Sequence, residues 1–192
     1  MQLRPDPQLI AAAADGDHEA FEELMGRWLP RAHSMARRML GDADLAEDAV
    51  AEVAAVVWRS LPALRDATAF AGWLRAITLN VCRRLARRGL LAAAAVEPRG
   101  DGPDPGAGPA AEAETRARAA AIRRELACLP ELYWRSLVLY YLGDVSVGEI
   151  AQELGLPAGT VKSRLSRGRA LLAERLARAG WGPEELPSEG RE

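Results

Sequence analysis

VSVGEIAQELGLPAGTVKSRLSRGRALLAERL, residues 145–176, reads as two helices joined by a tight turn. Ile150, Ala151 and Leu154 give the first helix one apolar face, and Gly155 supplies a residue that tolerates the left-handed backbone at a helix end. Leu156 and Pro157 carry the chain across. In the second helix Val161, Leu165, Gly168, Leu172 and Leu176 recur at spacings of four, three, four and four, which is one helical stripe. A small Ala, a turn Gly and an apolar Val at these offsets let two helices cross closely, as a helix-turn-helix requires. Thr160, Ser163 and Arg167 lie on the opposite face, flanked by Lys162, Arg164 and Arg169. Hydroxyls and forked guanidinium donors near a helix N-terminus are what a DNA major groove accepts. A solvated basic face on a helical hairpin would share the charge, but not its agreement with turn and small residues. This stretch is expected to read DNA.

Outward from it, the composition of all 192 residues is that of a helix-rich globular chain, with aromatics only 5% and no alternating runs of β-formers. The length suits one medium domain or two small ones. Net charge is −2, which argues against a general nucleic-acid coat protein. The charges are segregated, however. Five acids and no base lie between Asp42 and Glu52, while four of the six residues from Arg83 to Arg88 are Arg. Such a chain suits one protein partner and one nucleic-acid partner. Cys82 and Cys128 stand far apart, and neither has His18 or His33 at metal-ligand spacing. No disulfide framework, metal site or cofactor is therefore expected, and two free thiols fit a reducing cytoplasm. The N-terminal stretch lacks the sections of a signal peptide, and no apolar run reaches bilayer length, so no membrane insertion is expected.

In order, a short helix is expected around Gln8 to Ala14, with Asp17 capping the next. That helix carries a stripe from Phe21 through Leu24, Trp28, Ala32 and Met35 to Met39; Pro30 interrupts it and is expected to bend it, and Gly41 ends it. A third helix starts near Asp44, buries Leu45, Ala49, Val53, Val56 and Val57, and stops near Pro62. Thr68 caps a fourth with the stripe Phe70, Trp73, Leu74, Ile77, Val81 and Leu85; Trp58 and Trp73 are read as core. Residues 17–88 thus form an N-terminal helical bundle. Residues 89–111, GLLAAAAVEPRGDGPDPGAGPAA, read as a flexible linker. Residues 112–178 form the helix-turn-helix domain and 179–192 a frayed tail. The fold class is all-α.

Four stretches give this arrangement a family resemblance. DHEAFEELMGRWLPRAHSMARRMLG, LAEDAVAEVAAVVWRSL, AFAGWLRAITLNVCRRLARR and LPELYWRSLVLYYLGDVSVGEIAQELGLPAGTVKSRLSRGRALLAERL resemble, in turn, the opening of region 2, the polymerase-docking helix, the segment that opens and reads the −10 element, and region 4 of extracytoplasmic-function (ECF) sigma factors. The resemblance covers nearly everything but the linker and both ends. It implies a transcription initiation factor, not an enzyme, that acts with core RNA polymerase and promoter DNA in the cytoplasm and has no small-molecule substrate. An anti-sigma factor is a usual partner in the family.

By the same resemblance Glu47, Asp48 and Glu52 would meet the polymerase; on composition alone they read as a solvated acidic face. The family typically has a Gln, an aromatic and an Arg along this helix, where this chain has Ala51, Ala54 and Val56. Arg65 and Asp66, in the loop before the fourth helix, would help receive an unpaired −10 base. Asn80, Arg83, Arg84, Arg87 and Arg88 would follow along that helix, where four Arg exceed what a helix dipole needs and suit phosphate contact. Thr160, Lys162, Ser163, Arg164, Arg167 and Arg169 would read the −35 element as duplex. A conventional dimeric regulator binding its operator alone is the rival, and a helical enzyme, for which no motif is present, the third class.

Overall fold

The computed structural model describes residues 5–95, 110–143 and 145–182. The described residues form helices only: α1 (Asp6–Ala14), α2 (His18–Leu40), α3 (Ala43–Ser60), α4 (Phe70–Ala95), α5 (Ala110–Ala127), α6 (Glu131–Tyr141), α7 (Val147–Leu154) and α8 (Ala158–Arg178), with 3-10 turns at Leu61–Ala63 and Ala67–Ala69. They divide into two compact units that part between Leu85 and Ala86.

In the first unit α2 and α3 form the broadest contact, and α1 packs on α2 and on both 3-10 turns. Asp17 caps α2, its carboxylate accepting the Ala20 amide at 3.1 Å. Gly41 ends α2 at φ 72°, its amide reaching the Arg37 carbonyl at 2.9 Å. The helix runs unbroken through Pro30. The carbonyl that proline deprives of a donor is that of Gly26, an exposed residue, so water can replace the lost bond.

The stripe of α3 keeps Ala49, Val53 and Val57 of the expected set and departs from it at Leu45 and Val56. Ala46, Ala49, Val53 and Val57 are fully buried, whereas Leu45 is 39% exposed and Val56 half-buried. Spacings of three, four and four put two alanines against α2, where a leucine would hold the helices apart. Thr68 does not cap α4. Asp66 instead accepts both the Thr68 amide (2.8 Å) and the Thr68 hydroxyl (2.7 Å), closing the second 3-10 turn one residue before α4 begins. These bonds, the hydroxyl's first, hold the exposed Asp66 carboxyl below the usual carboxylate range. Phe70, Leu74 and Val81 of the α4 stripe are buried; Trp58 and Trp73, expected as core, are only half-buried.

The helix α4 continues past Gly89 to Ala95, so the first seven residues of the expected linker are helical. The Leu-Leu-Ala-Ala-Ala-Ala run is rich in strong helix formers, and one Gly costs only about 1 kcal/mol within it. Residues 96–109 lie outside the described residues. The expected tail begins with a helix stop: Gly180 takes φ 87°, and the Trp181 amide returns to the Leu176 carbonyl at 3.0 Å.

The two thiols differ sharply. Cys82 is fully buried, and desolvation pushes its thiol up to about 12, whereas Cys128 is exposed after α5. Ellman's reagent is therefore expected to label Cys128 alone in the native chain and Cys82 only after denaturation.

Candidate nucleic-acid interface

In the second unit α8 packs on α5, α6 and α7. Ser146 begins α7 with a reciprocal capping box: its hydroxyl accepts the Glu149 amide while the Glu149 carboxylate accepts the Ser146 amide at 2.9 Å. The S-x-x-E spacing at 146–149 is the sequence signal of this box. Gly155 ends α7 in the left-handed region (φ 63°), and the Leu156 amide returns to the Ala151 carbonyl at 2.9 Å. That closure turns the chain into α8 within three residues.

All five stripe residues of α8, Val161, Leu165, Gly168, Leu172 and Leu176, are buried. At Gly168 a Cβ would stand 3.0 Å from Cδ1 of Leu137 and 3.2 Å from Cβ of Tyr133. The glycine thus lets α8 approach α6 closely, with the fully buried Trp134 nearby in the α6 sequence. The opposite face is open. Lys162, Ser163 and Arg167 are exposed, Thr160 and Arg164 half-buried. Ser163 donates its hydroxyl to the Gly159 carbonyl at 3.0 Å, which leaves its oxygen as an acceptor. Arg169 stands apart from this set: its guanidinium donates to the Tyr141 hydroxyl at 3.3 Å and lies half-buried on α6.

In the first unit Arg65, Asp66, Asn80 and Arg84 are exposed, as are Arg87 and Arg88 farther along α4. Spacings of four and three put Asn80, Arg84 and Arg87 on one helix face, and Arg88 joins it four residues after Arg84. Arg83 is displaced from that face and is only 8% exposed, so it is not offered to phosphate in this conformation. Glu47 and Asp48 are exposed on α3, but Glu52 forms an ion pair with Arg84. The pair joins one residue expected at polymerase to another expected at DNA. Its reach from α3 to α4 is a tertiary fact that no spacing announces. Asp42, another of the acids, is spent on the helix cap, accepting the Leu45 amide at 2.9 Å. Among the described residues no group of His, Cys, Asp and Glu could hold a metal ion, and no helix is long and apolar enough to cross a membrane.

The two units correspond to two family profiles, Sigma-70 region 2 over residues 24–89 and Sigma-70, region 4 over residues 119–172. The chain is 33% identical over 181 residues to the ECF RNA polymerase sigma factor SigM of Mycobacterium tuberculosis, covering 93% of this chain and 88% of that protein. This chain belongs to the ECF RNA polymerase sigma factors. It is also 26% identical to SigW of Bacillus subtilis, over 87% of this chain and 94% of that one. Among solved structures it is similar to CnrH in complex with the cytosolic domain of CnrY, with a TM-score of 0.57 and 27% identity over 90% of this chain and 97% of that one. This sigma factor is thus a transcription initiation factor rather than a conventional operator-binding regulator.

Proposed function

We propose that this sigma factor divides promoter recognition between its two units, with α8 reading the −35 element as duplex and the 61–69 connection with α4 receiving the melted −10 strand. The observation that carries the reading is the separation on α8 of a fully buried stripe from an exposed face bearing Ser163 and Arg167. Arg167 faces away from the core and is assigned to a base edge; Lys162, on the flank, is assigned to a phosphate. Thr160, Ser163 and Arg164 would complete the contact, while Arg169 is reassigned to holding α8 on α6. Asn80, Arg84, Arg87 and Arg88 would track phosphates along α4, with Arg65 and Asp66 at the melted base. The protein carries out no bond chemistry of its own in this reading, needs no cofactor, and works in the cytoplasm beside the polymerase. By analogy with CnrH, which is solved with the cytosolic domain of CnrY, a regulatory anti-sigma partner is expected.

The deciding experiment is run-off transcription from a genomic fragment library with core polymerase, with and without this protein. Discrete new starts sharing two upstream elements support the division; starts sharing only one would overturn it.

Polymerase docking is assigned to the exposed acids of α3. The Glu52–Arg84 ion pair changes which substitution tests it, because Glu52→Arg would also set two guanidinium groups against each other. Glu47→Arg with Asp48→Arg avoids this. The double variant is expected to lose core binding about tenfold or more, measured by fluorescence anisotropy, while its helical circular dichroism is unchanged. Undiminished assembly would move the docking surface elsewhere.

A further inference from the structure

The connection assigned to the melted strand is short and largely exposed, yet two contacts from outside it hold its ends. From below, α1 packs on both 3-10 turns, with Leu9, Ile10 and Ala13 buried. At its far end Phe70, 1% exposed, takes the ring of Trp28 edge-on at 5.4 Å. These two supports meet in one carboxylate. Asp6, the first residue of α1, accepts the Arg27 guanidinium at 2.7 Å with one oxygen and the Trp28 indole N–H at 3.0 Å with the other. Arg27 is held in turn by Glu23 one helical turn earlier at 2.5 Å, and Arg31 lies over the Trp28 ring at 4.7 Å.

We propose that α1 is a brace for the 61–69 connection and that Asp6 is its positioning residue, fixing α1 beneath the loop and, through Trp28 and Phe70, the start of α4. The inference rests on the reading of that connection as the receiver of a melted base. Capturing such a base costs unstacking, and a loop already in place spares the ordering that a loose one would add. Both Asp6 contacts are only partly buried, and the carboxylate adds little apolar surface to the core, so its removal should loosen the brace without dissolving the bundle.

Two readouts on the full-length chain test this. In hydrogen exchange, Asp6→Ala is expected to speed the amides of 61–69 about tenfold while those of α7 and α8 keep their rates. With core polymerase on a promoter taken from the run-off selection, Asp6→Ala is expected to lower transcription of the duplex template about tenfold, and a template already unpaired at −10 to restore it. Trp28→Phe keeps an aromatic ring beside Phe70, smaller than the indole, and removes the donor to Asp6, so it should reproduce part of the effect. Unchanged exchange in 61–69 overturns the brace, as does an equal loss on duplex and unpaired templates. The reading of the loop is checked separately by Arg65→Ala, which touches neither support and should cost duplex transcription at unchanged exchange. If Arg65→Ala transcribes normally while Asp6→Ala still loosens the loop, the loop reading fails and takes the brace's role in opening with it.

Discussion

Gly168→Leu is expected to destabilise the helix-turn-helix unit by about 3 kcal/mol, a large share of the roughly 5–15 kcal/mol that holds a small domain together. Already at the Cβ position, Leu137 and Tyr133 of α6 stand 3.0 and 3.2 Å away, and a leucine adds three more carbon atoms beyond that tight contact. The helix cannot rotate to relieve the clash, because Val161, Leu165, Leu172 and Leu176 fix its face against the core. Urea denaturation followed by circular dichroism, with transcription at the cognate promoter, measures the effect. Two comparisons isolate its cause. Gly168→Ala gains about 1 kcal/mol of helix propensity and must displace a flexible leucine methyl and a less yielding tyrosine Cβ, so it should fall near neutrality. Ala170→Leu, exposed on the same helix, should stay within about 0.5 kcal/mol of the parent. If Gly168→Leu matched Ala170→Leu, the close crossing of α6 and α8 would be wrong.

Arg167→Ala is expected to act on recognition and leave folding alone. A bidentate guanine contact discriminates by about 1–3 kcal/mol, so transcription at the cognate promoter should drop roughly tenfold or more and tolerance at one −35 base should widen. Core polymerase affinity and thermal unfolding should not change, since Arg167 is exposed and outside the stripe. Lys162→Ala makes the contrast. Loss of a phosphate contact should weaken all promoters alike and reduce the slope of log affinity against log salt by about one unit. An Arg167→Ala variant that lowers the salt slope without relaxing sequence preference would exchange the two assignments.

How far the chain could be read depended on whether an interaction stays within one helix. The α8 stripe follows from spacing alone, and so do the caps at Asp17, Gly41 and Gly155, because each involves residues within a turn or so of one another. The register of α3 followed only in part. Of the expected set Leu45, Ala49, Val53, Val56 and Val57, the packed helix buries Ala49, Val53 and Val57 and takes Ala46 in place of Leu45 and Val56. Asp66 and Thr68 are both good capping residues, and the carboxylate wins by engaging the hydroxyl as well as the amide. The alanine run after Gly89 fits a linker by composition and a helix by propensity; propensity prevailed to Ala95. At the site, Glu52 with Arg84, Arg169 with Tyr141 and Asp6 with Trp28 join distant positions, and no periodicity within a segment could have paired them.

In the proposed reading, the division of α8 into a covered side and an open side makes promoter choice a replaceable label. Substitutions among Lys162, Ser163, Ser166, Arg167 and Ala170 leave the packing against α5, α6 and α7 intact, since all five are exposed. A library randomised at those positions should therefore yield folded variants that answer to new −35 sequences, a ready source of mutually independent transcription switches built on one unaltered frame.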